Sequence, residues 1–97
     1  MKIALSSALV RNKDIPHNLA AMTAALAQAA ADGADLVAFG ESTLQGFDCL
    51  CWSYAADRNM ALPLDSAPIR QLQDAARKYA TAISFGFIER DGDALYS

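Results

Sequence analysis

An amphipathic stripe set between two short apolar runs limits the fold more than any other feature of this chain. Ile15, Leu19, Met22, Leu26 and Ala29 or Ala30 recur at intervals of three and four residues, which puts them on one side of a helix. Asp14 stands where an N-cap belongs, Pro16 lies just inside the helix start, and Gly33 stands where a helix ends. Before the stripe comes Lys2-Ile3-Ala4-Leu5, closed off by the turn-like Arg11-Asn12-Lys13-Asp14. After it comes Leu36-Val37-Ala38-Phe39, continuously apolar, as a strand covered on both faces should be. Both runs are too short for helices and suit strands. Strand, helix and strand with short connections form a parallel βαβ unit with a right-handed crossover.

The remainder extends this pattern. Gly46-Phe47-Asp48 reads as a turn, and Trp52 to Met60 as a short helix with Asp57 and Arg58 exposed. Pro63 and Pro68 punctuate the region, and Ser66 is placed to cap a helix with the stripe Ile69, Leu72, Ala75 or Ala76, and Tyr79. Thr81 to Glu89 alternates Ile83, Phe85 and Phe87 on one face with Ser84, Gly86 and Ile88 on the other, the pattern of a strand. Asp91-Gly92 signals a hairpin, and Ala94-Leu95-Tyr96-Ser97 begins the returning strand. The expected class is α/β, in the order β-α-β-(loop, short helix)-α-β-β, with the hairpin making the sheet mixed.

At 97 residues the chain holds one small domain. No apolar run is long enough to cross a membrane, and Met1-Lys2 leads into its apolar stretch without a cleavage site, so no secretion signal is expected. The net charge is −3, and the basic residues Lys2, Lys13, Arg58, Arg70, Arg77 and Arg90 are scattered. Neither nucleic acid nor an anionic membrane surface is an expected partner. Cys49 and Cys51 form a C-x-C pair whose disulfide ring would be small and strained, which points to reduced thiols and a cytoplasmic location.

Glu41 is the leading candidate for chemistry. It follows an apolar strand directly, and in α/β sheets functional groups gather beyond the carboxyl ends of strands. A carboxylate partly withdrawn from water there can act as a general base. Phe47, Trp52 and Tyr54 are candidates to line a pocket near it. Cys49 and Cys51 read as packing or surface thiols, because nothing in the sequence brings His17, the only histidine, toward them. The same three side chains have unfamiliar spacing for a metal site. Lys78 falls on an exposed helix face.

Several blocks together resemble the nitrilase, or carbon–nitrogen hydrolase, superfamily. They are Met1 to Leu5, Asn18-Leu19, the run Gly33-Ala34-Asp35-Leu36-Val37-Ala38-Phe39-Gly40-Glu41, Leu44-Gln45-Gly46-Phe47, Ile83 to Arg90, and Gly92 to Ser97. The resemblance implies a four-layer α-β-β-α sandwich that hydrolyses amides, nitriles or N-carbamoyl compounds. It implies a glutamate, a lysine and a cysteine as the catalytic set, with no metal or organic cofactor. Glu41 matches the glutamate, whose implied role is general base toward the cysteine. Gly40 replaces the usual proline before it. The family's lysine and cysteine motifs lie beyond the strand that starts at Ala94, and no residue here matches either. The expectation is therefore an amino-terminal portion, with residues 1–97 as a single incomplete domain, inert alone and prone to self-association through apolar faces around Ile83, Phe85 and Phe87. One alternative is a stand-alone interaction module that pairs an open sheet edge after Tyr96 with another chain. Another is a small redox or metal module built on Cys49 and Cys51.

Overall fold

The computed structural model describes residues 1–7, 9–46 and 49–96. Phe47, Asp48 and Ser97, which carry part of the expected turn, one candidate pocket residue and the end of the last strand, lie outside the described residues. Eight elements follow in order among those described: β1 (Ile3–Leu5), α1 (Ile15–Ala31), β2 (Leu36–Ala38), α2 (Tyr54–Met60), α3 (Ala67–Tyr79), β3 (Ala82–Ser84), β4 (Glu89–Asp91) and β5 (Ala94–Tyr96).

α1 begins and ends as its sequence dictates. The Asp14 carboxylate accepts the His17 backbone N–H at 3.1 Å, satisfying one donor that a helix start leaves unpaired. At the other end the Ala34 N–H reaches the Ala29 carbonyl and the Gly33 N–H the Ala30 carbonyl, a Schellman closure. Ser66 occupies the N-cap position of α3, yet its hydroxyl makes no capping bond and is buried without a partner. There Ser66 contributes its backbone carbonyl, which accepts the Arg70 N–H.

β1, β2 and β3 pair in parallel, with β2 central. The register Ala4–Val37–Ile83 points one row of side chains toward α1 and α3. Met22, Leu26 and Ala29 from α1, Ile69, Leu72 and Ala75 from α3, and Val37, Phe39 and Leu44 form the buried core on that side. The two adjacent rows, Ile3–Leu36–Ala82 and Leu5–Ala38–Ser84, alternate onto the opposite face. Ile3 and Leu5 are 53% and 85% exposed there. Leu36 and Ala38 of β2 are half-buried on that face, so β2, expected to be covered on both faces, is fully buried only on the helix side among these residues.

Two further expectations change. The strand expected over Thr81 to Glu89 divides: β3 stops at Ser84, and Phe85 to Ile88 cross as irregular chain before β4. Parallel and antiparallel pairing both occur, but β4 and β5 form a hairpin ladder of their own, joined to the rest through a parallel bridge between Leu62 and Glu89. The apolar row Ile83, Phe85 and Phe87 is not left open either. All three pack against the core, and the two phenylalanine rings lie with centroids 5.7 Å apart.

Candidate active site

The chain leaves β2 at its carboxyl end and turns at once. Phe39 extends the ladder by donating its N–H to the Ser84 carbonyl at 2.8 Å. Glu41 to Gln45 then form a tight turn in which the Thr43 hydroxyl donates to the Gly40 carbonyl at 2.6 Å and the Gly46 N–H to the Ser42 carbonyl at 2.7 Å. Ser42 takes a left-handed backbone, φ +51°. Glu41 stands exposed on this turn while the four residues after it are buried. The carboxylate expected to be partly withdrawn from water is thus open to solvent, on a rigid base.

Two fully buried amides build that base. Asn18, on α1, donates from Nδ2 to the Leu44 carbonyl at 3.0 Å and to the Arg11 carbonyl at 2.8 Å, and its Oδ1 accepts the Arg11 N–H at 2.7 Å. Gln45 donates from Nε2 to the carbonyls of Met60 and Ile88 at 3.0 and 2.9 Å, and its Oε1 accepts the Ile88 N–H at 2.8 Å. The Gln45 carbonyl in turn accepts the Lys13 N–H at 2.8 Å. One turn is thereby tied to α1, to the end of α2 and to the segment before β4. Buried polar groups are costly unless paired, so each amide fixes a single arrangement of the chain around it. Sequence periodicity passes over both residues. Their signals are an asparagine within the apolar stripe of α1, a glutamine set between Leu44 and Gly46, and the place of both in the blocks that resemble the nitrilase superfamily.

The other candidates are placed elsewhere. Trp52 and Tyr54 line a groove with Leu50, Asp57, Ile88, Leu95 and Tyr96, and Glu41 is not among its walls. Trp52 and Tyr54, candidates to line a pocket near Glu41, border this groove instead, and Tyr54 donates its hydroxyl to the Asp93 carbonyl at 2.6 Å on the hairpin side. Cys49 is buried with Ala61 and Ile88, and Cys51 is exposed. His17, on α1, lines a different cleft with Ala4, Leu5 and Ala21. Among the described residues no group of three or more His, Cys, Asp or Glu side chains is arranged to hold a metal ion. Lys78 is exposed, as its helix face implied, with Nζ 5.3 Å from the Tyr79 ring centroid.

Asp57, expected on the surface, is only 6% exposed. The loop before α2 folds over it, so that the Cys51 backbone N–H donates to its carboxylate at 2.8 Å and the Cys51 thiol donates at 3.3 Å. The Cys51 N–H chiefly holds the Asp57 carboxyl below the ordinary carboxylate range; the thiol, the Trp52 N–H and the charge of Lys13 act the same way, and burial opposes them. A depressed folded-state pKa contributes stability above the unfolded value and loses it as pH falls through the folded one. Denaturant titrations should therefore show wild-type stability falling as pH drops below about 4. An Asp57→Asn variant should lose less over the same interval, and an unchanged pH dependence would remove Asp57 from this role.

Comparison with known proteins places the chain in a family. The family model for carbon–nitrogen hydrolases matches residues 2–97. An arylacetonitrilase of Hypocrea virens is 35% identical over 78 residues, covering 73% of this chain and 24% of the relative. An aliphatic nitrilase of Rhodococcus rhodochrous is 36% identical over 81 residues, 73% of this chain and 22% of the relative. A nitrilase of Pseudomonas syringae pv. syringae is 37% identical over 78 residues, 71% of this chain and 23% of the relative. The chain thus spans about a quarter of the length of the curated relatives it matches. No helix among the described residues is long and apolar enough to cross a membrane. With a family match over nearly its whole length, the chain belongs to the carbon–nitrogen hydrolases.

Proposed function

We propose that residues 1–97 are the amino-terminal part of a carbon–nitrogen hydrolase domain, with Glu41 the general base of a site that cleaves small nitriles, amides or N-carbamoyl compounds. The observation that carries this reading is the position of Glu41. It is exposed at the carboxyl end of the central strand β2, on a turn tied down by two buried amides. The relatives named as nitrilases favour nitriles as the substrate class.

In this reading Glu41 takes the proton from a cysteine thiol. The thiolate attacks the nitrile or carbonyl carbon and forms a covalent intermediate, while a lysine ammonium stabilises the charge developing on the substrate. In this reading the cysteine and lysine come from sequence beyond these residues, which relatives about three times as long have room to hold. The uncovered sheet face carrying Ile3 and Leu5 supports the four-layer arrangement, because a second sheet laid on it would bury both side chains. The family match disfavours the stand-alone interaction module.

The test compares the 97-residue chain with the full-length hydrolase of which this reading makes it a part, on a panel of nitriles, amides and N-carbamoyl compounds. The full-length protein should turn over at least one class, and the chain alone none. Turnover by the chain alone that disappears on Glu41→Gln would contradict its inertness.

A further inference from the structure

We propose that Gly86 is a positioning residue for Glu41, acting through the absence of a side chain rather than through any contact with substrate. The inference rests on the reading of Glu41 as general base. Gly86 lies on the irregular segment just past β3, beside the turn that leaves β2. A Cβ built on it would stand 3.0 Å from the Ser42 nitrogen, 3.2 Å from the Glu41 Cα and 3.5 Å from the Glu41 carbonyl carbon. All three are backbone atoms, so no side-chain rotation relieves the contact.

The turn has little freedom to retreat. Its first residues are tied by the Thr43–Gly40 and Gly46–Ser42 hydrogen bonds, Ser42 already holds a left-handed backbone, and Asn18 and Gln45 fix the far end. A side chain at position 86 must therefore strain these hydrogen bonds or push the two segments apart, and either way the Glu41 Cα shifts by a few tenths of an ångström relative to the sheet. Gly86 itself has an ordinary φ, so backbone conformation does not require glycine there, and the close approach of the Glu41 turn does. Catalytic groups tolerate displacement poorly, and a shift of this size should lower turnover about tenfold.

The experiment is Gly86→Ala in the full-length hydrolase. It is measured beside Glu41→Gln and a core variant with a matched drop in thermal midpoint, such as Ile69→Val. The expected result is a kcat about tenfold below wild type with KM within about twofold, while the core variant keeps its kcat. In the 97-residue chain, hydrogen exchange at the Gly46 amide, which reports the turn directly, should speed up in Gly86→Ala. A Gly86→Ala enzyme with the same kcat as the core variant, or an unchanged Gly46 exchange rate, overturns the positioning role. Loss of activity in Glu41→Gln together with full activity in Gly86→Ala would reject the positioning role alone. Full activity in Glu41→Gln would reject the reading beneath it as well.

Discussion

Replacing Gln45 by leucine is expected to unfold the chain or lower its thermal midpoint by about 10 °C or more. Leucine fills similar volume but makes none of the three hydrogen bonds that the Gln45 side chain directs to Met60 and Ile88. Ile88 is buried, and its N–H would be left with no partner of the kind Gln45 supplies. Its carbonyl is less affected, because it also accepts the Leu62 N–H at 2.9 Å. Each buried backbone group left unpaired costs about 1–3 kcal/mol, so losing the partners of the Ile88 N–H and the Met60 carbonyl costs about 2–6 kcal/mol. That is a large part of the roughly 5–15 kcal/mol that holds an ordinary domain together. Gln45→Glu should do no better at neutral pH, since a buried carboxylate would face the Met60 and Ile88 carbonyl oxygens without a proton to donate. Thermal denaturation of the two variants checks both statements, and a midpoint within a few degrees of wild type would contradict them.

The second large effect is expected at the next residue. Gly46 has φ +94°, where residues with a side chain are strained, and a Cβ there would lie 2.7 Å from the Asn12 Cα and 3.3 Å from the Arg11 carbonyl oxygen. Backbone strain of this kind costs about 1–3 kcal/mol, and the contact with the Asn12 main chain adds to it because neither side can rotate away. Gly46→Ala should therefore separate the loop ending at Asp14 from the turn after β2 and break the Lys13–Gln45 hydrogen bond. Gly92→Ala is the informative comparison. Gly92 also has positive φ, +60°, but nothing lies within 4 Å of the position its methyl group would take, so it should lose only the conformational part. Denaturant midpoints for the pair measure the difference, and equal losses would show that the Asn12 contact is unimportant.

The parts of the fold legible in the sequence are those fixed by local chemistry. The Asp14 cap, the stripe of α1, the Gly33 closure and the apolar run of β2 are all set by neighbours a few residues apart. Together they are enough to place Glu41 at a strand's carboxyl end. The segment after β3 departs from its alternating pattern because its partners are remote. Ile83, Phe85 and Phe87 alternate as a strand should, yet the backbone of Ile88 is taken by the Gln45 side chain and by Leu62. No periodicity reveals a hydrogen bond spanning 43 residues. Asp57 differs from its expected exposure for a similar reason, since a helical pattern does not show that the preceding loop will fold its N–H groups onto the carboxylate. The same holds for the site. Glu41 is visible from its position alone, whereas Asn18, Gln45 and Gly86 stand in the resembling blocks without a stated role, and their contacts with the Glu41 turn emerge only when distant segments meet.

The central claim is that this chain supplies the general base of a carbon–nitrogen hydrolase through Glu41. The most direct measurement is kcat/KM of the full-length hydrolase and its Glu41→Gln variant on a responsive nitrile, with folding of the variant confirmed by an unchanged thermal midpoint. Glutamine keeps the shape of the exposed side chain and removes only its capacity to take a proton. The account predicts a loss of about 10²–10⁴-fold at unaltered stability. A folded Glu41→Gln enzyme with wild-type kcat/KM would contradict it.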